Sequence, residues 1–159
     1  MVTTLAFFHK GVNKNFPAGT KLKKNPTMLI VAAAALLRSD GRILLQKRPE
    51  GREMAGLWEF PGGKLEAGEQ AEQALARELA EELDISVDPE KLTPACFASA
   101  AIGSKDLLLL LYTCREWDRQ PRAVEGQELG WFALTEMENL AMPPADIPLL
   151  ALLQQILRA

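Results

Sequence analysis

Residue types that often carry chemistry are scarce in this chain of 159 residues. The single histidine, His9, lies in an irregular N-terminal segment, which excludes a histidine-based metal site and a Ser-His-Asp triad. Two cysteines, Cys96 and Cys114, are too few for a disulfide framework, and each sits in an apolar run. We therefore expect reduced, buried thiols and a cytoplasmic location. No run approaches the ~18 apolar residues that a membrane span needs.

Acidic residues are absent from residues 1–39, which hold six of the 18 bases. The remaining 12 bases face all 21 acids, so the rest of the chain has a net charge of −9. That acidity argues against binding to polymeric nucleic acid, although a nucleotide that brings its own metal ion stays compatible. Residues 1–27 lack periodicity and predict a flexible leader; a targeting segment is the alternative interpretation.

The order of predicted elements indicates one domain over residues 28–159 with an α+β fold. Residues 29–37 form an apolar run typical of a strand buried on both faces. Asp40 and Gly41 predict a turn, after which residues 42–48 return as the second strand of a hairpin. Further strands are predicted at 57–60, 96–102, 107–112 and 129–133, and residues 61–63 are expected to end the first of these. Helices are predicted from 68–70 to about 83, within 134–140, and after 146.

The segment from 66 to 84 concentrates negative charge, with seven acidic residues and one base, Arg77. At ~100° per residue, one helical face carries Ala71, Leu75, Leu79 and Leu83. Glu82 falls on this apolar face and Glu78 at its edge, where a carboxylate needs a partner or a metal ion. Oxygen ligands without histidine or cysteine favour Mg²⁺ or Mn²⁺. A solvated acidic helix is the alternative, and Glu72, also on the apolar face, belongs to no metal argument.

The spacing of these residues is itself informative. Five residues separate Gly63 from Glu69, seven more precede Arg77, and the segment continues Arg77-Glu78-Leu79-Ala80-Glu81-Glu82-Leu83-Asp84-Ile85. This pattern resembles the Nudix box, G-x5-E-x7-R-E-U-x-E-E-x-G-U, at every fixed position except the last glycine. Asp84 stands there, and because Asp tolerates left-handed backbone, we expect only the end of the helix to change. LWEFPGGK before the box and MPPADIPLL near the C-terminus also resemble the MutT-like branch.

The resemblance implies a Nudix fold, which is a mixed β-sheet flanked by helices in an α/β/α sandwich. It implies Mg²⁺-dependent (or Mn²⁺-dependent) water attack on a nucleoside diphosphate derivative, without a covalent enzyme intermediate. The MutT-like branch implies cleavage of a nucleoside triphosphate to monophosphate and pyrophosphate, typically of oxidised guanine nucleotides such as 8-oxo-dGTP. A pyrimidine triphosphate or sugar nucleotide is the alternative substrate, and a non-enzymatic binding module is a third reading. The expected partner is a small nucleotide, and the protein is expected to be a monomer or weak dimer.

The resemblance also assigns roles in catalysis. It implies metal ligands at Gly62 (through its carbonyl), Glu78, Glu81, Glu82 and Glu125. Arg77 matches an arginine that orients a box glutamate through a salt bridge to Glu69 or Glu78. Which glutamate is the general base stays open, and Glu125 is alternatively a solvated loop carboxylate.

Nucleotide contacts are implied at four positions, which are Arg48, Phe60, Lys64 and Asp146. Phe60 resembles a residue that flanks the base, Arg48 an arginine that holds the nucleotide, and Lys64 could neutralise phosphate. Asp146 aligns with a position that reads the purine edge, where an ionised carboxylate can only accept hydrogen bonds. Its alternative role is the N-cap of the last helix.

Overall fold

The computed structural model describes residues 28–158, which form two sheets and three helices. The strands are β1 Met28–Leu36, β2 Ile43–Lys47, β3 Trp58–Glu59, β4 Gly62–Lys64, β5 Thr93–Ile102, β6 Lys105–Cys114 and β7 Glu128–Phe132. The helices are α1 Ala71–Leu83, α2 Leu134–Met137 and α3 Ile147–Arg158, with a 3₁₀ turn at Pro89–Lys91. The predicted leader and His9 lie outside the described residues.

The larger sheet has the strand order β4-β1-β6-β5, and the smaller has the order β3-β2-β7. Strands β1 and β6 run parallel, whereas every other pair is antiparallel. Mixed sheets flanked by helices confirm the predicted α+β class. No helix within residues 28–158 has the length and apolar character to cross a membrane.

Strand β1 is the central wall of the core, because alternate side chains in a strand point to opposite faces. Ala32 and Ala34 pack in the apolar cluster that contains α1, whereas Ala33 and Ala35 pack in the cluster that contains α3. Small side chains let both helices approach the sheet closely. The strand is thus buried on both faces over residues 32–36, whereas Ile30, inside the run predicted to be buried, is 37% exposed.

The predicted hairpin between the first two strands is wrong beyond its turn. The chain reverses at residues 39–41, and Leu37 bridges Ile43 in an antiparallel pair. The strands then diverge into different sheets, because β1 already pairs with β4 on one side and β6 on the other. Strand β2 instead pairs with β3 and β7.

Strand β3 does end just before residues 61–63, as predicted, but a further strand that begins there was not predicted. Gly62–Lys64 forms β4, which pairs antiparallel with β1. The strand is hidden from propensity because two of its three residues are glycines, which disfavour strands. This strand carries the backbone of the site onto the edge of the larger sheet.

Helix α1 runs to Leu83, and Asp84 caps it in the left-handed conformation (φ 54°, ψ 37°). The expectation for the position that departs from the box is therefore confirmed. The sequence predicts one apolar stripe on α3, made of Leu149, Leu150, Leu153 and Leu157; the first three are buried and Leu157 is half-buried. The cysteines are both free thiols; Cys114 is buried as expected, and Cys96 is half-buried.

Candidate active site

A three-residue segment, from Phe60 to Gly62, holds two carboxylates that come from distant elements. The Phe60 N–H donates to the Asp146 carboxylate at 3.2 Å. The Gly62 N–H donates to the Glu82 carboxylate at 3.1 Å. Asp146 immediately precedes α3, and Glu82 lies in the last turn of α1. This segment therefore fixes the separation between the two carboxylates.

Both glycines of β4 are required by close neighbours. A Cβ on Gly62 would lie 2.1 Å from the carbonyl oxygen of Ala32, and its φ of +149° also disfavours side chains. A Cβ on Gly63 would lie 2.2 Å from Cδ of Glu78. The absent side chains leave room for a helix carboxylate to rest directly on the backbone of the sheet.

Arg77 links two of the box glutamates in one ion-pair network. Its Nε and Nη2 each donate to Glu69 at 2.9 Å, and its Nη1 donates to Glu78 at 2.8 Å. The guanidinium lowers the pKa of Glu69 to about 2, chiefly through these hydrogen bonds. Nη2 also donates to the Lys64 carbonyl at 3.2 Å, which ties α1 to β4. Arg77 therefore contacts both of the partners between which the sequence left a choice.

The carboxyl group of Glu82 is half-buried beside the sheet. It accepts hydrogen bonds from Gln46 Nε2 at 3.0 Å and from the Gly62 N–H, both on Oε2. Burial raises its pKa to about 7; these hydrogen bonds oppose the shift, and the charges of Glu59 and Glu78 add to it. A cation placed here would restore the ionised form. Glu72, on the same helical face, has a structural explanation, because it accepts a hydrogen bond from the Tyr112 hydroxyl at 3.0 Å.

Asp146 is only 5% exposed. Burial raises its pKa to about 7, against the effect of the hydrogen bond from Phe60. Its carboxylate accepts a hydrogen bond from Phe60, which lies between β3 and β4, and so points away from the first turn of α3. That orientation places an acidic side chain on the wall of a cavity, where a ligand can meet it.

Arg48 is paired with Glu59, an acidic residue that was not predicted from the sequence to belong to the site. Its Nε donates to Glu59 at 2.7 Å, and its Nη1 donates to the Glu53 carbonyl at 2.9 Å. Burial raises the pKa of Glu59, while Arg48 opposes that shift. Arg48 thereby joins strand β3 to the loop at residues 49–57.

Glu125 lines the cavity close to this loop. Its carboxylate is 3.6 Å from Arg52, and both side chains are largely exposed. Its backbone N–H donates to the side chain of Gln127 at 2.8 Å. The backbone of Glu125 is therefore anchored while its carboxylate is held only by an exposed ion pair, which is weak in water.

A cavity of about 540 Å³ brings most of the predicted residues together, a size typical of small-ligand sites. Its lining includes Arg48, Phe60, Gly62, Lys64, Glu78, Glu82, Glu125 and Asp146. Arg77 and Glu69 lie behind Glu78 as its support. Glu81 is not brought into the lining; its side chain is 57% exposed and reaches Arg77 at 3.5 Å.

The acidic side chains that line the cavity are each paired with separate donors. Within the described range, no three Asp, Glu, His or Cys side chains gather closely enough to hold a metal ion. Glu78 faces Arg77, Glu82 faces Gln46 and Gly62, and Glu125 faces Arg52. Like charges separate in this way unless a cation lies between them. Their oxygens are nonetheless the hard donors that suit Mg²⁺, so the residues present fit that ion.

Four residues of the site were missed by the sequence reasoning: Gln46, Arg52, Glu59 and Gln127. The sequence offered a usable signal for Gln46, because this polar residue directly follows the apolar run at the start of β2. In the structure it is buried, and a buried amide needs hydrogen-bond partners. Glu59 gave a weaker one, as an acid between Trp58 and Phe60. The other two lie in irregular segments where single polar residues are ordinary.

The cavity lies beside an acidic helix, on a mixed sheet whose edge strand contains two glycines. This arrangement is that of a NUDIX domain, and the NUDIX domain model matches residues 32–152. The chain belongs to the NUDIX family and is a Nudix hydrolase. Hydrolases of this family generally need divalent metal ions.

Similar proteins include two bacterial enzymes. The CTP pyrophosphohydrolase of Escherichia coli K12 is 37% identical over 122 residues, 77% of this chain and 89% of that protein. The 8-oxo-dGTP diphosphatase of Haemophilus influenzae is 37% identical over 124 residues, with the same two coverages. These relatives bear names of enzymes that act on small nucleotides.

Solved structures agree on the fold. The solution structure of the E. coli ORF135 protein has a TM-score of 0.73 at 38% identity and covers 83% of this chain and 91% of its own. The MutT NUDIX hydrolase of Burkholderia pseudomallei has a TM-score of 0.69 at 32% identity, with coverages of 78% and 96%. The resemblance to the MutT-like branch, inferred from the box and its flanks, is therefore confirmed.

Proposed function

We propose that the protein hydrolyses nucleoside triphosphates to monophosphate and pyrophosphate, and that its substrates are oxidised guanine nucleotides such as 8-oxo-dGTP. One observation carries this proposal. The segment from Phe60 to Gly62 holds two carboxylates of the cavity lining: Asp146, which we propose reads the base, and Glu82, which we propose binds the metal ion. A nucleotide bound along that wall would have its base at one end and its phosphates at the other.

Phosphate chemistry belongs to the end near α1. Glu78, Glu81, Glu82, Glu125 and the Gly62 carbonyl would hold Mg²⁺ there. The ion would supply charge neutralisation and a more acidic water. Arg77 orients Glu78, and Lys64 and Arg48 add positive charge for the triphosphate. A glutamate at this end accepts the proton of the attacking water, so no covalent intermediate is needed.

Base recognition belongs to the end near α3. An ionised Asp146 would accept from the N1–H and exocyclic N–H of a guanine edge. Phe60 is only 3% exposed and packs in the core, so it would supply a rigid apolar wall beside the base. Free cysteine thiols suit a reducing cytoplasm, where the nucleotide pool lies.

A second substrate class, a cytosine nucleotide, is favoured by the state of the same residue. With a pKa of about 7, Asp146 is partly protonated at neutral pH. A protonated carboxyl group can donate to N3 of cytosine and accept from its amine. The similarity to a CTP pyrophosphohydrolase supports this candidate.

The test is a panel of triphosphates, including 8-oxo-dGTP, dGTP and CTP, incubated with Mg²⁺ from pH 6 to pH 8.5. We expect kcat/KM for 8-oxo-dGTP to exceed that for dGTP and to rise through pH 7 as Asp146 ionises. A higher kcat/KM for CTP that falls through pH 7 would favour the second candidate. No turnover of any nucleotide would refute both.

A further inference from the structure

Two buried amides, Gln46 and Gln127, line the cavity beside the acidic side chains of the site. They are 5% and 7% exposed, respectively, although glutamine is usually a surface residue. Gln46 belongs to β2, and Gln127 lies in the loop before β7. Burying an amide is unfavourable unless its hydrogen bonds are made, so the partners of these two side chains are informative.

The orientation of Gln127 is fixed by backbone groups. The Glu125 N–H can only donate, and it donates to Gln127 Oε1 at 2.8 Å. The Glu82 carbonyl can only accept, and it accepts from Gln127 Nε2 at 2.8 Å. With both ends assigned in this way, the amide has one permitted orientation.

The orientation of Gln46 agrees with that of Gln127. Gln127 Nε2 is also 3.5 Å from Gln46 Oε1, which places an acceptor opposite a donor. Gln46 Nε2 is thereby directed at the Glu82 carboxylate, 3.0 Å from Oε2. The Gly62 N–H contacts the same oxygen. Among the described residues, no hydrogen bond reaches Oε1 of Glu82, so that oxygen is left to face a ligand.

We propose that Gln127 and Gln46 are positioning residues that act as one amide relay between the Glu125 loop and the Glu82 carboxylate. The relay keeps two acidic residues from separate elements in a fixed relation, so that both can meet one divalent cation. This inference rests on the proposed function, because it takes Glu82 and Glu125 as metal ligands. Both glutamines line the cavity, and the role proposed for them is to position Glu82 and Glu125 rather than to bind the nucleotide.

The relay is tested by Mn²⁺ binding to the full chain without nucleotide, followed by electron paramagnetic resonance. Gln127→Met and Gln46→Met keep the side-chain volume and remove the amide. We expect each variant to bind Mn²⁺ about 10- to 100-fold more weakly, as is typical for the partners of metal ligands. Because both residues act in one relay, we expect the Mn²⁺ affinity of the double variant to be little lower than that of the single variant that binds Mn²⁺ more weakly.

Gln155→Met is the matched control, since Gln155 is exposed on α3 and remote from the site. It should bind Mn²⁺ like the wild type. Circular dichroism reports whether each variant is folded. If Gln127→Met does not fold, Gln127→Glu replaces it, because Glu keeps the acceptor for Glu125 but loses the donor to Glu82 and Gln46.

Wild-type Mn²⁺ affinity in the folded single variants would overturn the relay. Losses that multiply in the double variant would also overturn it, since they would indicate independent roles. Failure of the proposed function has a different signature. A wild type that binds Mn²⁺ yet hydrolyses no triphosphate refutes the function alone, and a wild type without Mn²⁺ affinity refutes the metal site and the relay together.

Discussion

At the scale of single residues, Gly63 is defined by one neighbour, the carboxyl group of Glu78. A methyl group at position 63 would overlap that carboxyl and push it from Arg77 and the cavity. We expect Gly63→Ala to lower kcat by about 100-fold, since a displacement of ~1 Å at a reacting site costs that much. Far-ultraviolet circular dichroism should remain that of the wild type.

Gly68→Ala is the matched control for this substitution. Gly68 has a φ of +82°, but a Cβ there would meet no atom within 4 Å. It therefore introduces backbone strain without displacing a site residue, and turnover should stay close to normal. Equal losses in both variants would contradict the role given to the Gly63–Glu78 contact.

The buried carboxyl group of Asp146 predicts a pH dependence of stability. Its pKa is raised from 3.8 to about 7 by burial. Between these values the folded state holds a proton that the unfolded state has lost, so the free energy of unfolding falls as pH rises from about 4 to about 7. Asp146→Asn removes this effect. The free energy of unfolding of the variant, relative to that of the wild type, should therefore rise by on the order of 1–3 kcal/mol between pH 4 and pH 8.

Urea unfolding at pH 4.5, 6 and 8 measures this difference. Gln155→Glu adds an exposed charge on the same helix and serves as the control, with a nearly constant difference from the wild type. A constant difference for Asp146→Asn as well would mean that Asp146 is not held in a raised-pKa environment.

Residues of the site differ in how far the sequence revealed them. Helical periodicity alone placed Glu82 on the apolar face, and it is half-buried as that geometry requires. The burial of Gln127 depends on a loop folding back against the end of α1, through hydrogen bonds from Val124 and Arg122 to carbonyls of that helix. A long-range contact of this kind leaves no periodic signal in the chain.

At the scale of elements, the end of α1 differs from the Nudix pattern in one residue. Asp84 has a positive φ and pairs with the exposed side chain of Arg122. A β-branched residue should be strained there, so we expect Asp84→Val to be less stable than Asp84→Gly by about 1–2 kcal/mol. Both variants lose the ion pair. The difference between their stabilities in thermal or urea unfolding therefore measures the cost of the left-handed backbone conformation alone. Equal stabilities would contradict the left-handed cap.

The strands illustrate why some elements could not be predicted. Helix α1 was predicted to within a few residues because its apolar face repeats along three turns. Strand β4 was missed because Gly62 and Gly63 have low strand propensity, and their pairing with β1 is a tertiary effect. The prediction of a hairpin between β1 and β2 was wrong for the same reason, since β1 pairs with strands such as β6 that are distant in sequence.

At the scale of the whole molecule, the two sheets and their helices form a frame around one cavity. Elements far apart in sequence supply its lining, with α1 at the end proposed for the phosphates and the residue before α3 at the end proposed for the base. The family and fold followed from the length and spacing of the box. Substrate choice did not, because the proposed recognition of the base depends on the protonation and orientation of Asp146 inside the folded protein.

The central claim is that this frame directs metal-assisted water attack on a nucleoside triphosphate. The most direct measurement is ³¹P NMR of 8-oxo-dGTP incubated with Mg²⁺ and either the wild type or Glu82→Gln. We expect monophosphate and pyrophosphate from the wild type, and turnover lowered about 100-fold or more in the folded variant. Orthophosphate as the first product, or near-normal turnover by Glu82→Gln, would contradict the central claim.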